Sequence, residues 1–436
     1  MFTKSHLFTI SLLASLLTCC SPAPAPASAA PADEAQPATL INTSHLEHLF
    51  AQVALGDQQV GAIWIYCEAP DYHLVGDEDE GFTCVDDVAR ALVFYCRYYQ
   101  QHRSEAVLDR IQSLTAFILG MQAENGYFYN FLLPDGTINT THKNSVATPN
   151  WWSWRAFWAL TELQLVDAPA LAALQSQSQP VLQGMVSRIA ERCPEPAVRQ
   201  NVAGFEFPAC LADMGTDQAA IILMGLGNHF QKAPSPELRE LLTKWGNLIL
   251  TMQVGDANQA PYSAFLSWQN YWHAWGNSQA YALLYAGRLL GNETFTTAGL
   301  HEVQRFQPYY LSLGGLHAFQ ATKAGDSIRL TNVEQFPQIA YNIRPLVYAA
   351  LEAYQVTGDS VYAAQAGQLA TWLLGKNPAA RQMYDPASGR TLDGISAVDQ
   401  VNENSGAEST IEGLLTLLAV EGVPAAQLVL EQYQKK

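Results

Sequence analysis

The sequence predicts an all-α protein, an (α/α)6 toroid occupying residues 41–436 as a single domain. Three observations lead there. Six segments open on polar residues and then turn apolar, at intervals of about 59 to 67 residues. Five of them are followed by a second, more charged amphipathic helix. The first helix of each pair is apolar nearly all round, as a buried helix must be. A two-helix repeat of that length marks stacked α-hairpins. Ordinary α-solenoid repeats are shorter, roughly 33–47 residues, and more alike in sequence, so a ring of six inner and six outer helices is preferred to an open solenoid.

In chain order, the inner helices are expected at Val85–Arg97, Trp151–Leu163, Asp217–Asn228, Gly276–Leu289, Gln338–Tyr354 and Ser405–Val420. Their outer partners are expected at Ser104–Gln122, Ala168–Arg192, Pro236–Gln253, Thr294–Phe306 and Ser360–Leu374. The sixth partner is either Ala425–Tyr433 or Ser44–Leu55. Little strand signal separates them.

Composition narrows the function. Of the 436 residues, 49% are hydrophobic and only 14% charged, so the body has ample apolar material to fold. The net charge of -17 argues against a nucleic-acid partner, which needs a basic footprint. No apolar run of about 18 residues follows the N-terminus, so no spanning helix is expected in the body.

Residues 1–20 read as an export signal: a short polar start, an apolar stretch Leu7–Leu17 too short to span a bilayer, then Leu16-Leu17-Thr18-Cys19-Cys20. That end resembles the lipobox of bacterial lipoproteins. It implies acylation of Cys20, with Cys19 as the alternative, and a lipid anchor on an exported face. Ordinary cleavage after Ala27-Ser28-Ala29 is the competing reading. Residues 21–40 are Pro/Ala-rich, which favours extended backbone and suits a tether. Among the body cysteines, Cys193 and Cys210 bracket one loop and are placed to pair, whereas Cys96 falls in a helix pattern as a buried thiol. No Cys/His spacing suggests zinc, and Asp77-Glu78-Asp79-Glu80 lacks the spacing of a calcium loop. Neither a metal nor a cofactor is called for.

The polar motifs share a position: each opens an inner helix, so all should meet at one mouth of the ring. They bring Asp86, Asp87 and Arg90; Trp151, Trp152 and Arg155; Asp217; His273 and Trp275; Tyr341 and Arg344; and Asn404 with Glu408. A loop carrying Asp385 and Asp393 precedes the last of them. Six of the 10 Trp fall in or beside two of these rims. Aromatic faces with carboxylates, amides and guanidiniums suit an oligo- or polysaccharide, whose C–H faces stack and whose hydroxyls need polar partners. Trp154 and Trp158 are expected in the core, and Trp152 and Trp275 in the cleft.

Glycoside hydrolysis uses two carboxylates. Asp87 is the first candidate: at a helix N-terminus, free N–H groups favour its ionised form, which suits a base. Asp86 beside it fits an N-cap. Glu408 is the second: an aromatic-lined, water-poor mouth would raise its pKa and make it the acid. Its spacing from Ser405 also fits a capping box, in which it would only hold the helix end. Asp213, Asp217, Glu206 and Glu334 are lesser candidates.

Two of these motifs resemble a known group. Asp86-Asp87-Val88-Ala89-Arg90-Ala91-Leu92 is similar to the D-D-N-A-R-A-L element of six-hairpin glycosidase-like domains. Tyr384-Asp385-Pro386, Asp393-Gly394 and Asn404-Ser405-Gly406-Ala407-Glu408-Ser409-Thr410 resemble the same group's Y-D-P…D-G…N-x-G-A-E-S-T pattern. Val88 replaces an Asn and Ser405 a Gln. The resemblance runs from about Gly61 to Val420 and implies the toroid fold and a carbohydrate context. It brings no catalytic pair with it.

The expectation is therefore an exported, lipid-anchored glycoside hydrolase with Asp87 as base and Glu408 as acid. The alternatives are a polysaccharide lyase, with Tyr341 or His273 as base and Arg155 and Arg344 holding a uronate, or a glycan-binding lipoprotein without catalysis.

Overall fold

The computed structural model describes residues 39–194 and 196–435. Cys19, Cys20 and the chain up to Ala38 lie outside the described residues. The described chain opens with α1 (Ser44–Leu49) and a hairpin of Phe50–Leu55 with Gln58–Ile63. Six helical pairs follow. α2 (Val85–His102) precedes α3 (Leu108–Gly120), and α4 (Trp151–Leu165) precedes α5 (Ala172–Glu191). After the short α6 (Ala209–Met214) come α7 (Thr216–Lys232) and α8 (Pro236–Leu250). α9 (Gln279–Leu290) precedes α10 (Glu293–His301), which continues through a π-helical turn, Glu302–Phe306, into α11 (Gln307–Ser312). α12 (Ala340–Thr357) precedes α13 (Ser360–Ala370), and α14 (Ala407–Glu421) precedes α15 (Pro424–Gln434).

The ring closes. α2 packs on α4, α4 on α7, α7 on α9, α9 on α12, α12 on α14, and α14 back on α2. α3, α5, α8, α10, α13 and α15 lie outside them, each against the inner helix that precedes it. The sixth outer helix is thus α15. Ser44–Leu55 does not supply it: only its first half is helical, as α1, which also leans on α14.

The inner helices are parallel, as polar bonds near their C-terminal ends show. Arg97 of α2 donates to Glu162 of α4 at 2.8 Å, and Asn228 of α7 donates to the same carboxylate at 2.9 Å. Tyr285 of α9 donates to Asn228 at 3.0 Å, and Arg288 of α9 donates to Glu352 of α12 at 2.6 Å. One belt therefore joins five successive inner helices at the end away from the mouth. Short turns connect each pair there. Two of them, after α9 and α12, use Gly291 and Gly358 at φ 66 and 72, the left-handed region that costs glycine least.

The all-α expectation needs one correction. The loops at the mouth carry small antiparallel hairpins, and Tyr271–His273, Ala318–Ala324 and Ser327–Glu334 form a three-stranded sheet. Most strands run only two to four residues inside turn-rich segments, too short for alternation to show. Cys193 and Cys210 form the disulfide, and Cys96 is a buried free thiol.

Glu302, in the π-helical turn, is fully buried; it accepts from the Phe265 N–H at 2.7 Å, and its other oxygen has no partner. Burial pushes its carboxyl up to about 8. Between its unfolded pKa and that value the folded chain binds the extra proton, so this group's stability contribution falls as pH rises. We predict that Glu302→Gln gains stability relative to wild type progressively from pH 5 to pH 8, read by urea unfolding. A pH-independent difference would show that Glu302 does not titrate in this range.

Candidate active site

The mouth is built from α2 outward. Its first turn has no free backbone donors. Val85 N–H donates to the Asn130 carbonyl, Asp86 N–H to the Asn130 side chain and Asp87 N–H to the Cys84 sulfur. Cys84, not Asp86, is the N-cap. Asp86 instead faces Arg155 of α4. Burial pushes its carboxyl up, but Arg155 and Arg90 outweigh this and hold it below the usual range.

Arg90, one turn on and 2% exposed, is the centre of the cluster. Its Nη1 donates to Asp87 Oδ1 at 2.6 Å and its Nη2 to Glu408 Oε2 at 2.8 Å. Asp86 lies 3.4 Å from Nη2, and Glu412 lies 3.4 Å from Nε. Arg344 holds Glu412 from the other side. Arg155 donates to the Tyr341 hydroxyl at 2.9 Å. The Tyr341 ring lies within 4.9 to 5.4 Å of the Arg90, Arg344 and Arg155 guanidiniums. These groups form a plug between α2, α4, α12 and α14, within the first two turns of each.

Above the plug lies a cavity of about 330 Å3. Asp87, Glu408 and Asp393 line it, with Tyr341, Tyr66 and Asn402. Among the described residues no Arg, Lys or His lines it. The carboxylates differ in surroundings. Asp87 is buried, and that burial, helped by the charges of Asp86 and Glu408 and opposed by Arg90, pushes its carboxyl up to about 6. The Glu408 side chain is 42% exposed. Asp393 accepts from the Gly406 N–H at 2.9 Å and the Ser409 hydroxyl at 2.6 Å, yet burial still raises it.

This geometry revises several expectations. The helix N-terminus does not hold the Asp87 carboxyl below its usual range, because its N–H groups already serve Asn130 and Cys84. The capping box does not form: Gly406 is the N-cap of α14, Ser405 donates to the Thr391 carbonyl, and Glu408 turns to Arg90. Trp152 is core, its indole N–H donating to the Phe128 carbonyl. Trp154 and Trp158 are core as expected. Trp151 stacks under the Arg155 guanidinium, outside the lining. Arg155 and Arg344 stand behind the cavity wall. Asn404 accepts from the Ala69 N–H, and Asn402 takes the place in the lining. Asp385 bonds Ser388 and Arg390 in its own turn, away from the cavity.

Asp217, His273 and Trp275 form a separate cluster. His273 Nε2 lies 2.9 Å from Asp217 Oδ2, and Nδ1 lies 2.8 Å from the Trp275 carbonyl. The Trp275 ring stacks on the His273 ring at 3.7 Å and on His317 at 5.0 Å. Both imidazole nitrogens are engaged, so His273 supports the rim. Asp213, Glu206 and Glu334 are exposed. Glu412 and Tyr66 escaped the sequence reading, and Cys84, which opens the first motif, was given no role there. Glu412 had a usable signal: it follows Glu408 by four residues and so shares its helix face.

No protein-family model and no curated protein matches the chain by sequence. Solved structures match in fold. A sugar epimerase from a ruminal bacterium has 13% identity and a TM-score of 0.60, over 87% of this chain and 95% of that one. Cellobiose 2-epimerase from Bacillus thermoamylovorans has 12% identity and 0.62, with the same coverage. An α-1,6-mannanase of Salegentibacter has 10% identity and 0.51, over 86% and 95%. At these identities the likeness establishes the (α/α)6 fold.

Arg90→Met leaves four acids facing one another without their shared cation. We predict a loss of about 3–5 kcal/mol of unfolding free energy for it. Arg381→Met, at the exposed pair with Glu403, should change stability by less than about 1 kcal/mol. Equal effects would refute Arg90 as the structural centre.

Proposed function

We propose that the protein is a glycoside hydrolase in which Asp87 is the general acid and Glu408 the base or nucleophile. One observation carries this: two carboxylates share one guanidinium and line one cavity, but one is buried and the other open to water. Environments that separate two such groups assign acid and base. The roles are the reverse of those expected from the sequence. The fork holds the two bonded oxygens within about 8 Å of each other. Hydrolase pairs work at carboxyl separations of roughly 5–9.5 Å.

The mannanase of similar fold supports the reading. Its structure, in complex with α-1,6-mannotetraose, is of a variant inactivated by replacing two consecutive aspartates. Asp86 and Asp87 are such a pair here. The cavity lining speaks against a uronate lyase, since three carboxylates face the substrate and no basic side chain does. The epimerases of similar fold favour a second reading, proton exchange at a sugar carbon without bond cleavage. The lipobox-like Cys20 supports an exported, lipid-anchored location for either activity.

The test is a panel of α-1,6-mannotetraose, cellobiose and other neutral oligosaccharides, followed by NMR. New reducing ends would establish hydrolysis. Inversion at C2 with solvent deuterium incorporated would establish epimerisation and refute the hydrolase. Under the hydrolase reading, Asp87→Asn and Glu408→Gln each lower kcat/KM by about 10^2–10^4-fold. Wild-type kcat/KM declines above about pH 6 as Asp87 loses its proton. Undiminished turnover by Glu408→Gln would remove Glu408 from the mechanism.

A further inference from the structure

Among the described residues, Cys84 is the one thiol that touches a candidate catalytic group, Asp87. It is buried, has no disulfide partner and ends the short strand Thr83–Cys84 that leads into α2. Its position is fixed twice through the backbone, by pairing of Cys84 with Phe131 and by the Val85 N–H bond to Asn130. The side chain then makes two contacts with one residue. Its sulfur accepts from the Asp87 N–H at 3.4 Å, and its S–H donates to Asp87 Oδ2 at 3.3 Å. Asp87 Oδ1 is taken by Arg90 at 2.6 Å. An oxygen that accepts a short bond from a guanidinium is the poorer place for a proton, because the proton would face the cation. The proton of a neutral Asp87 therefore belongs on Oδ2, beside the sulfur.

We infer that Cys84 is a positioning residue for the proposed acid: its two contacts hold the Asp87 carboxyl with Oδ1 on Arg90 and Oδ2, the oxygen left for the proton, beside a weak hydrogen-bonding partner. A thiol suits this place in two ways. As a weak donor it supports the carboxylate only slightly, so it does not force Asp87 to ionise as a hydroxyl or a free backbone N–H would. As a weak acceptor it tolerates the carboxyl O–H without holding it against transfer. Serine is the common N-cap and would satisfy the helix at least as well, so capping alone does not account for cysteine here. The inference rests on the acid role proposed above for Asp87. It is nonetheless tested on the protein without substrate.

The experiment is urea unfolding of the full chain from pH 3.5 to 7.5 for wild type, Cys84→Ser and Cys84→Ala, each with and without Asp87→Asn. The difference within each pair isolates the titration of Asp87. Its midpoint should fall by about half a pH unit in Cys84→Ser, where a stronger donor supports the carboxylate. It should rise by about as much in Cys84→Ala, where the donor is gone. Cys84→Ser keeps a cap and carries the test alone if Cys84→Ala does not fold. A cap with no further role would shift stability equally at every pH, and coincident midpoints would overturn the inference. Separated midpoints with no turnover of any glycan would uphold the positioning and refute only the hydrolase. With an active glycan, the alkaline limb of kcat/KM should move in the same order, serine below wild type below alanine.

Discussion

The structure depends on one buried cation. Arg90 hydrogen-bonds two carboxylates, Asp87 and Glu408, and lies 3.4 Å from two more, Asp86 of its own helix and Glu412 of α14. α2 and α14 are the first and last inner helices, so the bonds that organise the mouth also close the ring. A buried guanidinium is tolerable only when its donors are met by acids in good geometry. Removing it would leave those acids in a low-dielectric plug with repulsion in place of attraction. Stability and site geometry therefore share one residue.

The same cluster explains which acid keeps a proton. Arg155 is committed to Asp86, and Arg344 to Glu412. That leaves Arg90 between Asp87 and Glu408. The Glu408 side chain is open to solvent, whereas beyond Arg90 the buried Asp87 carboxyl has only a thiol. With three guanidiniums for four acids, the acid least compensated by cation or solvent is Asp87. Its raised pKa is a consequence of packing, and the backbone does not oppose it because the donors at the start of α2 are already used. The two ends of the barrel divide the work. Short turns and a polar belt fix the inner helices at the far end, while long loops at the mouth carry the variable chemistry.

The fold was legible because its signals are long-range and repetitive. Every inner helix was found to within a few residues, since an apolar helix of three or more turns is hard to disguise. Asp87, Arg90 and Glu408 were legible as members of the mouth for the same reason: each opens, or lies one turn into, a helix whose neighbours it must meet. What was not legible depends on which partner a group finds. Asp86 and Glu408 both had sequence contexts that fit capping, and tertiary bonds to arginines overrode both. Trp152 sits beside Trp151, but a rotation of 100° along the helix sends it to the core and its indole N–H to Phe128. Asp385 and Asn404 lie in the right loops, yet bonds within its own turn hold Asp385 away and the distant Ala69 N–H holds Asn404. The hairpins were missed because two-residue strands carry no period.

A shared fold does not decide between the two sugar chemistries, because the ring places six helix N-termini at a mouth whatever stands on them. The side chains do bear on it. Proton exchange at carbon needs a base with a free lone pair beside the substrate. Of the two histidines stacked on Trp275, His273 has both nitrogens engaged, whereas His317 keeps an Nδ1 without a partner. The groups that do face the cavity are carboxyls of unequal exposure, which is what cleavage of an acetal requires: a proton for the leaving oxygen and a charge or base for the other side. Burial is the larger cause of that inequality, and Glu408, brought to Arg90 by α14, adds to it. Before the ring closes, Asp87 is an ordinary aspartate on one helix. Afterwards it is the buried member of a crowded set. Closing the barrel and crowding these carboxyls are, on this account, the same event.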